Sequence, residues 1–258
     1  GRRKKKAKPV ASNFALPYWD KKDKVGSRTA LHHACYFGNL ECVKVLIEFG
    51  ANVNALNSKK ESPLLVACAR GWFDIVKYLV EDAQADIGKC DKFRKSCLIH
   101  AVKNGFFDIA KFLISKGASP NAKDSSGNTV AHYAAAYGWL NILKLLVESG
   151  ADVNVFNDWK TTPLIIAMTK GHIKCADFIL DRYMHVNAKD SDGRTLLHSA
   201  LENKSKQSRL YVSYLVEKKG ADVTVKDIRG TTLLHVLASQ PHKSDIAIAK
   251  LLVKHGAN

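Results

Sequence analysis

Ten histidines and six cysteines are the side chains in this sequence best equipped for chemistry. Imidazole can act as general base or metal ligand near neutral pH, and a thiolate can ligate soft metals or sense oxidants. Spacing argues against both uses. His32, His132, His198 and His235 recur at one position of a longer sequence period, which points to a repeated structural hydrogen bond and not to one catalytic imidazole. The cysteines, at 35, 42, 68, 90, 97 and 175, contain no metal-type CxxC pair. Four of them fall where small helical residues belong, as expected of reduced structural thiols, and the loop-proximal Cys90 and Cys97 are the pair that redox sensing would use. HExxH, a phosphate-cradling GxxxxGK[ST] loop and GxSxG are absent. Glu41, Asp74, Asp108 and Asp177 read as carboxylates recurring at one helix start, where they complement the positive end of the helix dipole. They are scaffold in this reading. No catalytic residue, metal site or cofactor is expected, and the chain reads as non-enzymatic.

The period that carries these residues is about 33 long and occurs seven times, with openings at Thr29, Ser62, Ser96, Thr129, Thr162, Thr195 and Thr232, spaced 33, 34, 33, 33, 33 and 37 apart. Each copy reads as helix, tight turn, helix, loop. Residues 129 to 157 show it: the small-sided run Ala131 to Ala136, a break at Gly138, an apolar face of Ile142, Leu143, Leu145 and Leu146, and a stop at Gly150. The opening Thr or Ser stands where an N-cap oxygen satisfies an orphaned backbone N–H, and Pro63 and Pro163 follow it, where a missing N–H costs nothing. One unit is too small to bury its own apolar face, so the copies must stack into an elongated core. Trp72, Phe106 and Trp139, each directly after the central Gly, form an equally spaced ladder that favours packing between copies over a binding stripe. The stretched copies six and seven place extra loop at Lys204 to Ser208 and Gln240 to Ser244, and are expected to unfold first.

The opening, the central Gly and the Gly-Ala-Asp-Val-Asn ending, clearest from Asp124 to Asn154, resemble the ankyrin repeat. The resemblance implies an all-α solenoid of stacked helix-turn-helix units with protruding loop tips. Its organisation is a basic tail and N-terminal cap over residues 1–23, then seven repeats over 24–258: about 24–56, 57–90, 91–123, 124–156, 157–189, 190–226 and 227–258. Leu65, Ile99 and Ile165 replace the usual His, Ala83 the late Gly of copy two, and Pro241 the central Gly of copy seven. Gly1 and the ending Gly256-Ala257-Asn258 suggest a segment of a larger scaffold or enzyme.

Composition is that of an ordinary globular protein, 46% hydrophobic and 25% charged. No apolar run approaches the roughly 20 residues of a membrane span, and no signal-peptide pattern opens the chain, so a nuclear or cytoplasmic location is expected. Net charge is +16; residues 1 to 24 hold nine Lys or Arg against two Asp, leaving +9 for the repeats. Arg2, Arg3, Lys4, Lys5, Lys6 and Lys8 form a polar run with three open readings: a solvated linker, a nuclear-localisation signal, or a grip on nucleic acid or acidic lipid. Residues 14 to 19, Phe-Ala-Leu-Pro-Tyr-Trp, are apolar enough to fold back on the first repeat.

The resemblance implies that partners bind a concave face made of the loop tips before each Thr and the exposed ends of the first helices. Carried onto this sequence, that face holds Tyr36, Phe37, Lys59, Arg70, Lys92, Phe93, Arg94, Lys103, Tyr137, Trp159 and Lys170. Aromatic anchors flanked by cations are the material of protein-binding hot spots. The expected ligand is a protein, as an extended peptide or loop with acidic residues near an apolar anchor, and the module itself is expected to be monomeric. Nucleic acid is disfavoured because Asp158, Asp192 and Glu202 oppose phosphate in the second half. The resemblance also implies a candidate hydroxylation at Asn154, in the Leu-x5-Asp-Val-Asn pattern from Leu146, against the plainer reading that Asn154 bonds backbone in its turn.

Overall fold

The computed structural model describes residues 18–183, 185–203, 206–239 and 245–258. The basic run Arg2 to Lys8, residues 14 to 17, Pro241 and the stretch 240–244 lie outside the described residues. Among the described residues, fourteen α-helices follow one another as seven pairs. The first helices are α1 (Ala30–Phe37), α3 (Pro63–Arg70), α5 (Cys97–Lys103), α7 (Val130–Tyr137), α9 (Pro163–Lys170), α11 (Leu196–Glu202) and α13 (Leu233–Ala238). Their partners are α2 (Leu40–Glu48), α4 (Phe73–Glu81), α6 (Phe107–Ser115), α8 (Leu140–Glu148), α10 (Ile173–Tyr183), α12 (Lys206–Lys219) and α14 (Asp245–Lys254).

Each first helix starts where the sequence places its cap. In copies two, three and five the Ser or Thr oxygen accepts from the backbone N–H three residues on, at 3.3 Å from Leu65, Ile99 and Ile165. In copies one, four, six and seven the imidazole joins in. His132 Nδ1 accepts the Thr129 N–H at 3.0 Å, while Nε2 reaches across to the Thr161 carbonyl of the next copy at 3.0 Å. His32 and His198 make the same bridge, to Glu61 and Thr231. The repeated histidine is therefore a staple between neighbours, and copies two, three and five go without it.

Stacking buries one continuous core of small and branched residues from both helix rows, from Leu31 and Val43 at one end to Leu233 and Leu252 at the other. The aromatic ladder is part of this packing. A Cβ added to Gly38 would lie 2.5 Å from the Trp72 ring, one on Gly71 2.6 Å from Phe106, and one on Gly105 2.7 Å from Trp139. Each ring thus packs against the central Gly of the preceding copy, in space that only a glycine leaves free, and Trp72 Nε1 donates to the Tyr36 carbonyl at 3.3 Å. His172 and Gln207 continue the series against Gly138 and Gly171. At the N-terminal end Trp19, in a short 3-10 helix (Tyr18–Asp20), packs on the core and against Phe49, with ring centroids 6.2 Å apart.

Two sequence expectations are corrected. Asp177 does not share the register of Glu41, Asp74 and Asp108: those occupy first helical turns, whereas Asp177 sits mid-helix in α10 and accepts from the Tyr214 hydroxyl at 2.8 Å. The loop expected over Lys204 to Ser208 is helical from Lys206, because Ser208 and Arg209 are buried and the Arg209 guanidinium reaches the Asn203 carbonyl at 3.1 Å. The extra residues of copy six lengthen a helix.

Candidate functional site

The loop tips form a row built by one repeated device. In tips two to seven an Asp or Asn oxygen accepts two backbone N–H groups, two and four residues ahead, as Asp91 does from Phe93 and Lys95 at 2.8 and 2.9 Å, Asp124 from Ser126 and Asn128, and Asn157 from Trp159 and Thr161. Neighbouring tips are then stitched by backbone bonds: Ser58 N–H to Gly26, Lys92 to Lys59, Ser125 to Phe93, Asp158 to Ser126 and Ile228 to Asp192, at 2.8–3.1 Å. Among the described residues no such stitch joins tips five and six. That joint relies on side chains, Asn203 to Thr169 at 2.9 Å, Tyr214 to Asp177, and Lys219 to Asp181 at 2.6 Å.

At the point of each tip the backbone turns left-handed. Copies four, six and seven use Gly127, Gly193 and Gly230 there, whereas Lys60, Arg94 and Lys160 hold φ of 59, 60 and 53°. A side chain in that region costs about 1–2 kcal/mol. Three cations are thus held forward at positions where glycine would be easier, a signal that spacing alone did not reveal.

Tip and helix-end residues of the first three copies make a cationic face. Tyr36 is half-buried, with the Arg70 guanidinium 3.6 Å and the Arg28 guanidinium 5.4 Å from its ring centroid. Phe37 leans edge-on against Tyr36 and is 71% exposed. Lys92 and Lys95 lie over Phe93 at 5.0 and 5.6 Å, and Lys95 also faces Tyr133 at 5.7 Å. The carboxylates nearby are already engaged. Asp23 accepts from the Gly26 and Arg28 N–H groups and pairs with His33 at 2.9 Å, which holds it well below the usual carboxylate range. Asp91 pairs with His100 at 3.1 Å, and Glu61 accepts from Asn57 at 2.8 Å. Burial lowers the His100 pKa against the pull of Asp91. Lys59, Arg70, Lys92, Arg94 and Lys103 form no ion pair among the described residues.

Farther along, Asn128, His132, Tyr133, Ala136, Tyr137, Ile166 and Lys170 line a recess of about 310 Å³ between α7 and α9. Tyr137 and Lys170 are brought together here, and Tyr133 and Ile166 are lining residues that the sequence reading missed; for Tyr133 its place one helical turn before Tyr137 was the available signal. Tyr133 donates to Asp124 at 2.6 Å, and burial followed by that bond pushes its phenol pKa far up, so it stays a neutral donor. Burial works to raise the Asp124 pKa, but the bonds from Tyr133, Asn128 and Ser126 outweigh it and keep the carboxylate charged. Trp159, at the next tip, is 65% exposed and stands apart from this recess. A second recess of the same volume lies between copies six and seven, and is lined by charge: Asp192, Arg194, Glu202, Asp227 and Arg229. Among the described residues no group of three His, Cys, Asp or Glu could hold a metal ion, and no helix is long and apolar enough to cross a membrane.

Histidine staples recur in copies one, four and six, and stitched tips at every described joint but that of copies five and six; family models match the chain over the same span. A model described as ankyrin repeats, three copies, matches residues 11–91, 83–157 and 156–227, and one described as ankyrin repeat matches 229–258. The chain belongs to the ankyrin-repeat family. Ankyrin repeats are in general non-catalytic, protein-interaction modules. Among curated relatives, poly [ADP-ribose] polymerase tankyrase of Caenorhabditis elegans is 42% identical over 227 residues, covering 82% of this chain and 10% of the relative. Transient receptor potential cation channel subfamily A member 1 of Homo sapiens is 29% identical over 223 residues, 81% of this chain and 20% of the relative. The ankyrin repeat and KH domain-containing protein mask-1 of C. elegans is 27% identical over 154 residues, 59% of this chain and 6% of the relative. This ankyrin-repeat chain spans a fifth or less of the length of these relatives.

Proposed function

We propose that the loop-tip face binds an extended segment of a partner protein, acidic along the first three repeats and anchored by an apolar side chain in the Tyr133–Tyr137 recess. The observation that carries this reading is the imbalance on the face: its carboxylates are spent on loop backbone, histidines and the Asn57 amide, while Lys59, Arg70, Lys92, Arg94 and Lys103 have no ion pair among the described residues and Phe37, Phe93 and Trp159 are exposed. Cations steer the approach and rings supply buried area. As part of a longer protein the module would recruit that protein's partner or substrate; the 42% identical relative bears the name of a polymerase, which supports the recruiting role. A nuclear or cytoplasmic location follows from the same reading, with the Arg2–Lys8 run as import signal. Asn154 is exposed, and its N–H donates to Asp152 Oδ1 at 2.8 Å while the side chain remains open, which suits a modifiable residue; intact mass after treatment with an asparaginyl hydroxylase tests it.

The test is selection of peptides from a random display library on the whole chain, compared with the Phe93→Ala/Trp159→Ala variant. Acidic peptides with one apolar anchor, lost in the variant and only mildly salt-sensitive, are expected. No enrichment, or peptides indifferent to the variant, would overturn the reading. A log-log salt slope steeper than about −4 for a single-stranded oligonucleotide would instead favour nucleic acid.

A further inference from the structure

The first repeat and a half contain a feature more particular than a cationic face. Arg28, directly before the first cap, and Arg70, the last residue of α3, come from different copies, yet both guanidiniums lie over the same ring, that of Tyr36. Two like charges share this ring, and neither forms an ion pair among the described residues. Asp23 is committed to loop N–H groups and His33, and Glu61 to Asn57. The Tyr36 ring offsets part of the mutual repulsion through its negative face. What it does not supply is an acceptor for the guanidinium N–H groups.

We propose that Arg28 and Arg70, on the platform of Tyr36, form a site for the phosphate monoester of a phosphorylated side chain in the bound segment. This rests on the peptide-binding reading above and adds to it a dependence on phosphorylation. One carboxylate, with two oxygens and a single charge, saturates one guanidinium through a bidentate pair. A phosphate monoester carries about −1.5 to −2 charge at pH 7 and three acceptor oxygens, so it can engage two guanidinium forks at once and neutralise both. The structure offers that second fork. Lysines elsewhere on the face are single point charges on flexible stems, and they bind either anion with little preference.

The probes are O-phosphoserine, inorganic phosphate and glutamate, titrated separately into the whole chain while the Arg Nε–H and Tyr36 ring signals are followed by NMR. Both phosphates are expected to shift Arg28, Tyr36 and Arg70 and to saturate, with O-phosphoserine the tighter of the two and glutamate at least ten-fold weaker than either. Arg28→Gln and Arg70→Gln should each abolish saturation. Arg28→Lys/Arg70→Lys, which keeps the charge and removes the forks, should bring phosphate down to the level of glutamate; circular dichroism checks that each variant is folded. Equal affinity for glutamate and phosphoserine, or shifts spread evenly over Lys59, Lys92 and Lys103, would overturn the proposal. The Phe93→Ala/Trp159→Ala variant separates the two readings. Phosphate binding kept there while selected peptides are lost is expected; a site that fails in wild type while acidic peptides still bind removes the phosphate site and leaves the peptide groove standing.

Discussion

Replacing Gly105 by Ala measures what the aromatic-on-glycine packing contributes. Gly105 has φ of 78°, and an added Cβ would stand 2.7 Å from Trp139 Cζ2. Gly117 is a matched control, with φ of 91° and nothing within 4 Å of the added carbon. Both variants incur the left-handed penalty of about 1–2 kcal/mol. Only Gly105→Ala must also displace a packed ring, and overpacking of this kind costs about 1–3 kcal/mol more. Gly105→Ala is therefore expected to lose about 2–5 kcal/mol and Gly117→Ala about 1–2. Urea titration at constant temperature, followed by circular dichroism and tryptophan fluorescence, reads both. The Gly105→Ala/Trp139→Ala double variant should lose less than the two single losses added together, since the clash has gone. Equal losses for Gly105→Ala and Gly117→Ala would refute the packing role of Trp139.

Acid should weaken the solenoid before its carboxylates titrate. Burial lowers the pKa of His32, His132 and His198, so the unfolded chain binds protons that the folded chain refuses. Stability is then full above the unfolded value near 6.5 and falls as pH drops toward the lowered folded values, by up to about 1.4 kcal/mol per pH unit for each titrating imidazole. Urea midpoints at pH 7.5 and 5.5 test this, and His132→Leu, the solution copy two already uses, should flatten the decline. On the proposed binding face, Phe93→Ala or Trp159→Ala should weaken a selected peptide by about 1–3 kcal/mol with folding intact, as titration calorimetry and circular dichroism would show. The joint between copies five and six lacks the backbone stitch found at the other described joints, so hydrogen exchange should release copies six and seven together; protection lost first in the central repeats would contradict this.

The fold was legible because every unit repeats the same solution. A Thr or Ser opening and an apolar face in phase seven times over, with a central Gly in the first five copies, leave little freedom in how the copies stack, and the ladder after the Gly was rightly read as packing. The errors came where a residue was read outside its register or without its neighbours. Asp177 lies three positions beyond the helix-start carboxylates and belongs to a polar tie with Tyr214 and Lys219. Lys204 to Ser208 looks like loop by composition, yet Ser208 and Arg209 gain buried surroundings once α12 is extended. For the proposed binding face the sequence offered Tyr36, Arg70, Phe93 and Tyr137 from single-copy positions. It did not supply Arg28 or Tyr133, because their roles depend on rings and recesses completed by the adjoining copy, and no spacing within one repeat encodes that.

The aromatic that lies on the preceding glycine also gives the solenoid a direction in time. A chain made from its N-terminus exposes Gly38 before Trp72 exists and Gly71 before Phe106 exists. Each newly synthesised copy from the second to the fifth therefore closes the surface left by the one before it and presents a single fresh glycine shelf of its own. Growth proceeds with one unfinished edge at a time, and a nascent chain halted at any repeat has only that edge to protect from wrong association.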